Sequence, residues 1–84
     1  MINEKVVGEA LAKHLKRKRS KQISMAEAIT VLPRLIKLSK DDLAQSYSRP
    51  SEQRYVSTLR NLRSHKTAPR YGLKLLPDGG FSTI

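Results

Sequence analysis

The chain has 84 residues, no cysteine, and 17 Lys plus Arg against 7 Asp plus Glu, for a formal charge of +10. A chain this short builds one small core with little room for an enclosed active site, and the lack of cysteine excludes disulfide staples, thiolate zinc sites and cysteine nucleophiles. No apolar run approaches the ~18 residues of a membrane span, and the start Met-Ile-Asn-Glu-Lys lacks the pattern of a secretion signal, so the sequence reads as cytoplasmic.

Positive charge is spread over the chain. Residues 1–39 carry 9 basic and 3 acidic side chains, and residues 40–84 carry 8 and 4. A field of this kind attracts polyanions by releasing their condensed counterions, which makes nucleic acid the first partner to consider.

In chain order, residues 3–19 read as a helix with Asn3 as N-cap, Glu4 in the first turn, and an apolar stripe of Val7, Ala10, Leu11 and His14 flanked by Val6 and Leu15. The run Lys13, Lys16, Arg17, Lys18, Arg19, Lys21 has no acid in it and suits phosphate contact, though basic residues also collect naturally at a helix C-terminus. A break follows at residues 20–24. Ser24-Met-Ala-Glu27 is a capping-box pattern before Ala28, Ile29, Val31 and Leu32, and Pro33 is expected to interrupt or end that helix. Leu35, Ile36 and Leu38 read as core. Ser39-Lys-Asp-Asp42 starts another short helix through Leu43-Ala44-Gln45-Ser46-Tyr47, and Ser48-Arg49-Pro50 forms a turn.

Ser51 then caps a helix over residues 52–65. On a wheel of 100° per residue, Tyr55, Leu59 and Leu62 share one face with Val56 beside them, while Gln53, Ser57, Arg60, Asn61 and Ser64 crowd the other with Arg54 at its edge. Those side chains are of the types that match base edges and phosphates, and none is acidic. Residues 66–70 form a second break. Tyr71-Gly-Leu-Lys-Leu-Leu76, Pro77-Asp-Gly-Gly80 and Phe81-Ser-Thr-Ile84 read as strand, turn, strand.

The order of short helix, turn, polar-faced helix and hairpin over residues 40–84 resembles the winged helix-turn-helix family of bacterial and phage DNA-binding regulators, with Asp42-Leu43-Ala44 similar to the start of its positioning helix. Ser48 stands where the family commonly has glycine, and Arg49-Pro50 takes up one extra residue of spacing. The resemblance implies a winged helix-turn-helix domain over residues 23–84 with a β-hairpin wing; the basic N-terminal helix over residues 1–22 is an extra to that pattern, and the whole reads as a mostly helical α+β fold. It further implies transcription regulation, or the DNA-reading part of a mobile element, in the bacterial cytoplasm or nucleoid. The recognition helix, residues 52–65, would lie in the major groove of double-stranded DNA with the wing, residues 71–84, on the backbone. The expected contacts are Ser51, Gln53, Arg54, Ser57, Arg60, Asn61, Ser64, Lys66, Arg70 and Lys74, joined by Lys16, Arg17, Lys18 and Arg19. A homodimer would suit a palindromic site.

Two other readings stay open: an RNA-binding or ribosome-associated protein using the basic first helix, and a module docking on an acidic protein partner through that helix. Tyr47 and Tyr55 are assigned to the core rather than to base stacking. His14 and His65 lack the neighbours of a metal site and fit the core edge or a phosphate contact, and adjacent Asp41 and Asp42 suit a helix first turn. No nucleophile and base pair and no glycine-rich phosphate cradle is present, so the sequence implies neither catalysis nor a cofactor or metal.

Overall fold

In the computed structural model, which describes residues 2–47 and 50–83, Asn3 opens the first helix by accepting a hydrogen bond from the Val6 amide at 2.9 Å. This helix, α1, spans Glu4–Arg17. Its buried residues are Val7, Gly8, Leu11, Ala12 and Leu15, so the inward face is rotated from the expected stripe, leaving Ala10 and His14 half-buried and Val6 exposed. Small size explains the rotation. A Cβ on Gly8 would run into the Tyr71 ring, so glycine here allows the segment after the last helix to lie directly on α1.

β1, Gln22–Ile23, was not anticipated from the sequence. Ser24 caps α2, Met25–Leu35, by accepting from the Glu27 amide at 3.1 Å. Only half of the expected box forms, because the Glu27 carboxylate turns outward to Lys18 at 3.4 Å. Pro33 does not end this helix. It removes the amide that would have bonded the carbonyl of Ile29 four residues back, and that carbonyl instead accepts from the Tyr55 hydroxyl at 3.2 Å. The proline ring faces solvent while Ala28 and Leu32 hold the inner side in the core.

α3, Lys40–Leu43, is shorter than the helix expected up to Tyr47. Its capping box is complete: the Ser39 hydroxyl accepts from the Asp42 amide, and the Asp42 carboxylate accepts from the Ser39 amide at 2.9 Å. The helix nevertheless stops at Leu43, because the next backbone groups are drawn into an antiparallel bridge between Gln45 and Gln53. The Arg54 amide donates to Ala44 O, and the Ser46 amide to Glu52 O, each at 2.8 Å. Tyr47 is 90% exposed rather than in the core, and Leu43 is also exposed. The expected turn at Ser48 and Arg49 lies outside the described residues, as does Ile84 at the end of the expected last strand.

α4, Arg54–Ser64, begins later than expected, with Gln53 rather than Ser51 at the N-cap position and no side-chain cap. Tyr55, Val56, Leu59 and Leu62 are buried, as their spacing requires. A 3₁₀ turn, Ala68–Tyr71, replaces the start of the expected strand and is closed by Gly72 at φ +84°. β2, Leu73–Leu75, and β3, Phe81–Thr83, form the hairpin, with Gly79 at φ +101° in the reversal.

The three strands form an antiparallel sheet in the order β1-β3-β2. Ile23 pairs with Phe81 and Phe81 with Leu75 on the inner face, while Gln22, Ser82 and Lys74 line up across the outer one. Gly80 accommodates the close passage of β1, since a Cβ there would strike the Ile23 carbonyl. Phe81 and Leu73 meet Leu11, Leu15, Leu32, Leu59 and Leu62 in one core. That core takes in α1 together with the rest, so packing shows no break at residue 22; α1 contacts α2, α4 and the sheet alike. No helix among the described residues is long and apolar enough to cross a membrane.

Candidate nucleic-acid interface

With Tyr55, Leu59 and Leu62 turned inward, α4 presents Gln53, Ser57, Asn61 and Ser64 on its far side, with Arg54 and Arg60 at the margins. No acid occurs within Arg54–Ser64. Several of these groups are already engaged. Ser57 Oγ lies 2.7 Å from Ser46 Oγ, and Gln53 Nε2 donates to Leu43 O at 3.0 Å. Asn61 and Ser64 make no side-chain hydrogen bond with a described residue, and Ser51 is exposed in the turn before the helix.

Arg60 is the most constrained. Its Nε donates to Glu52 Oε1 at 3.0 Å and its Nη2 to Glu52 Oε2 at 2.6 Å, a two-point contact between half-buried groups. The hydrogen bond to Glu52 pushes the guanidinium pKa upward against the opposing effect of burial. Because the carboxylate takes the Nε and Nη2 edge, the Nη1 side remains for another acceptor, and the planar fork is held in one orientation. Glu52 therefore positions Arg60 as well as neutralising it. Glu52 falls inside the helix expected over residues 52–65 but precedes α4, so its spacing from Arg60 lies beyond ordinary helical neighbours.

Arg54 stacks over the exposed Tyr47 ring, its Cζ 4.7 Å from the ring centroid, and its Nε is buried without a hydrogen-bond partner among the described residues. Arg63 fixes the hairpin to α4: Nη1 donates to Gly80 O at 2.8 Å, and the guanidinium lies 6.0 Å from the Phe81 centroid. Neither Tyr47 nor Arg63 was singled out from the sequence for these contacts. Exposed Lys74 stands on the outer face of the hairpin, and exposed Lys66 and Arg70 follow α4.

The other end of α4 is tied to the start of α1. His65 Nδ1 lies 2.8 Å from Glu4 Oε2, and the Thr67 hydroxyl also hydrogen bonds to Glu4. The bond from Thr67 first, then those from His65, outweigh burial and hold the Glu4 carboxyl below its usual 4.5.

The basic run of the first helix does not form one surface. Lys18 is drawn toward Glu27 and Ser20, while Lys16, Arg17 and Arg19 are exposed and make no ion pair with a described residue. The outward residues Lys13, Lys16 and Arg17 lie opposite the face with which α1 packs into the core and against α4. Among the described residues no three of His, Asp and Glu gather as metal ligands would. No family model, characterised protein or solved structure matches this chain.

Proposed function

We propose that this protein binds duplex DNA in the manner of a winged helix-turn-helix regulator, with α4 in the major groove and the β2 and β3 hairpin as a wing on the backbone. It acts in transcription regulation or as the DNA-reading module of a mobile element. The observation that carries the reading is the outer face of α4: polar, free of acids within the helix, and tied by Arg63 to a hairpin whose outer face carries Lys74. The connectivity supports it too, since a strand lies ahead of the α3 and α4 pair, with α1 and α2 on either side of it, and the final hairpin pairs back on that strand in the order β1-β3-β2. The positioning helix is then reduced to the single turn of α3, and α2 lies before it.

In this reading Asn61 and the Nη1 side of Arg60 meet base edges, while Lys74, Lys66 and Arg70 meet phosphates. Selection from random duplexes beside a single-stranded RNA pool tests it. Asn61→Ala and Arg60→Ala are expected to cost about 1–3 kcal/mol at one or two base positions, and Lys74→Ala to weaken all sequences alike and lower the salt slope by about 1. Enrichment of RNA over duplex, or unchanged duplex preference in both α4 variants, would overturn the reading.

A further inference from the structure

A second surface lies on α1, away from the polar face of α4. A groove between α1 and the exit of α2 is floored by Ala10, Leu35 and Ile36, each only partly covered, and rimmed by Lys13, His14 and Arg17 with Glu9 as its acid. Lys13 and Arg17 make no ion pair with a described residue, and exposed Lys37 follows Ile36. Val6, 41% exposed, continues the apolar line along the same face of α1.

We propose that this groove docks an acidic amphipathic helix of a partner protein, its apolar side chains on Leu35 and Ile36 and its carboxylates on Lys13 and Arg17. Two features select this occupant. An aliphatic floor offers nothing to a phosphate backbone, which is satisfied by exposed cations alone, whereas an amphipathic helix uses floor and rim together. A second copy of this chain would bring further cations against Lys13 and Arg17, a juxtaposition that opposes pairing. The groove is separate from the face that meets duplex DNA in the proposed function, because none of its residues belongs to α4 or the hairpin; of the DNA contacts expected from the sequence it holds Arg17 alone.

The test uses the whole chain, methyl-labelled, titrated with a synthetic helical peptide that carries leucines on one face and glutamates on the flanks. The Leu35 and Ile36 methyl signals are expected to move and saturate. A peptide of equal charge with serine for leucine, and one with lysine for glutamate, should leave them in place. Lys13→Glu with Arg17→Glu, both at exposed positions, is expected to weaken binding about tenfold or more, as loss of rim charge complementarity does. Ala10→Gln fills the floor at unchanged charge and should weaken it as well. Equal binding of the serine peptide, movement of α4 signals in place of Leu35 and Ile36, or a DNA duplex that displaces the peptide from these methyls would each overturn the proposal.

Discussion

α2 and α3 both open on a serine cap, yet α2 runs through a proline for the whole of Met25–Leu35 whereas α3, with the more complete capping box, stops after Lys40–Leu43. Caps satisfy the first free amides and set where a helix can start. Length is decided elsewhere. α2 buries Ala28 and Leu32 fully and has a hydroxyl from α4 for the one carbonyl its proline strands, while Leu43 of α3 is 45% exposed and the next backbone groups have better partners across the Gln45 and Gln53 bridge. A strong local start with nothing to bury yields a single turn, and a flawed helix with a core face persists.

Removing burial from the longer helix should have the largest effect. Leu32→Ala should cost about 2–5 kcal/mol in urea unfolding, through lost transfer energy and a residual cavity. A loss below 1 kcal/mol would mean that burial is not what sustains α2.

Asp42 comes next. Burial works to raise its carboxyl pKa, but hydrogen bonds from the Ser39 amide, the Ile2 amide and the Ser39 hydroxyl prevail, and it sits below the usual 3.8. A depressed pKa means that its contribution is whole above pH 3.8 and is lost as pH falls through the lower folded value. Asp42→Asn is expected to cost about 1–3 kcal/mol at neutral pH, the range for hydrogen bonds to a charged group. The gap to wild type should close in acid; a gap that is constant with pH would show that the charge is irrelevant.

Tyr55→Phe removes the donor to the Ile29 carbonyl and should cost about 1–2 kcal/mol. In a Pro33→Ala background the restored amide takes that carbonyl, so the cost should fall by at least about 0.5 kcal/mol, a coupling that a double-mutant cycle resolves. Equal costs in the two backgrounds would separate the proline from the tyrosine. Leu43→Ala, on the exposed side of α3, should change stability by no more than about 0.5 kcal/mol.

Much of this architecture was legible in the sequence because spacing and burial agree. Tyr55, Leu59 and Leu62 turn inward as their period requires, Asn3 and Ser24 cap where short polar side chains precede apolar runs, and Pro77-Asp-Gly-Gly80 reverses the chain. What was not legible depends on contacts between distant segments. β1 carries a single buried side chain, Ile23, and exists because β3 arrives beside it. The survival of α2 past Pro33 needs a hydroxyl 26 positions away in sequence, and the inward turn of Gly8 and Ala12 rests on close approach rather than hydropathy. At the α4 face the residue types were readable, but the engagement of Ser57 by Ser46 and of Arg60 by Glu52 was not, because those partners come from the irregular segment leading into the helix. Tyr47 was misplaced for the same reason: a Leu-Ala-Gln-Ser-Tyr run looks helical until the bridge claims its backbone.

The pairing of Gln22 with Ser82 and of Ile23 with Phe81 also bears on the order of events in folding. Helical turns close within microseconds from neighbouring residues, whereas the β1 and β3 pair joins segments with α2, α3, α4 and β2 all lying between them, and the entropy of that long loop opposes it. The β1 and β3 pairing is thus expected to form after the helices and the local β2 and β3 hairpin. Ile23→Val should accelerate unfolding while leaving the refolding rate nearly unchanged, and Leu59→Ala, where α4 meets the core, should slow refolding; a chevron plot of each variant reads the two limbs separately.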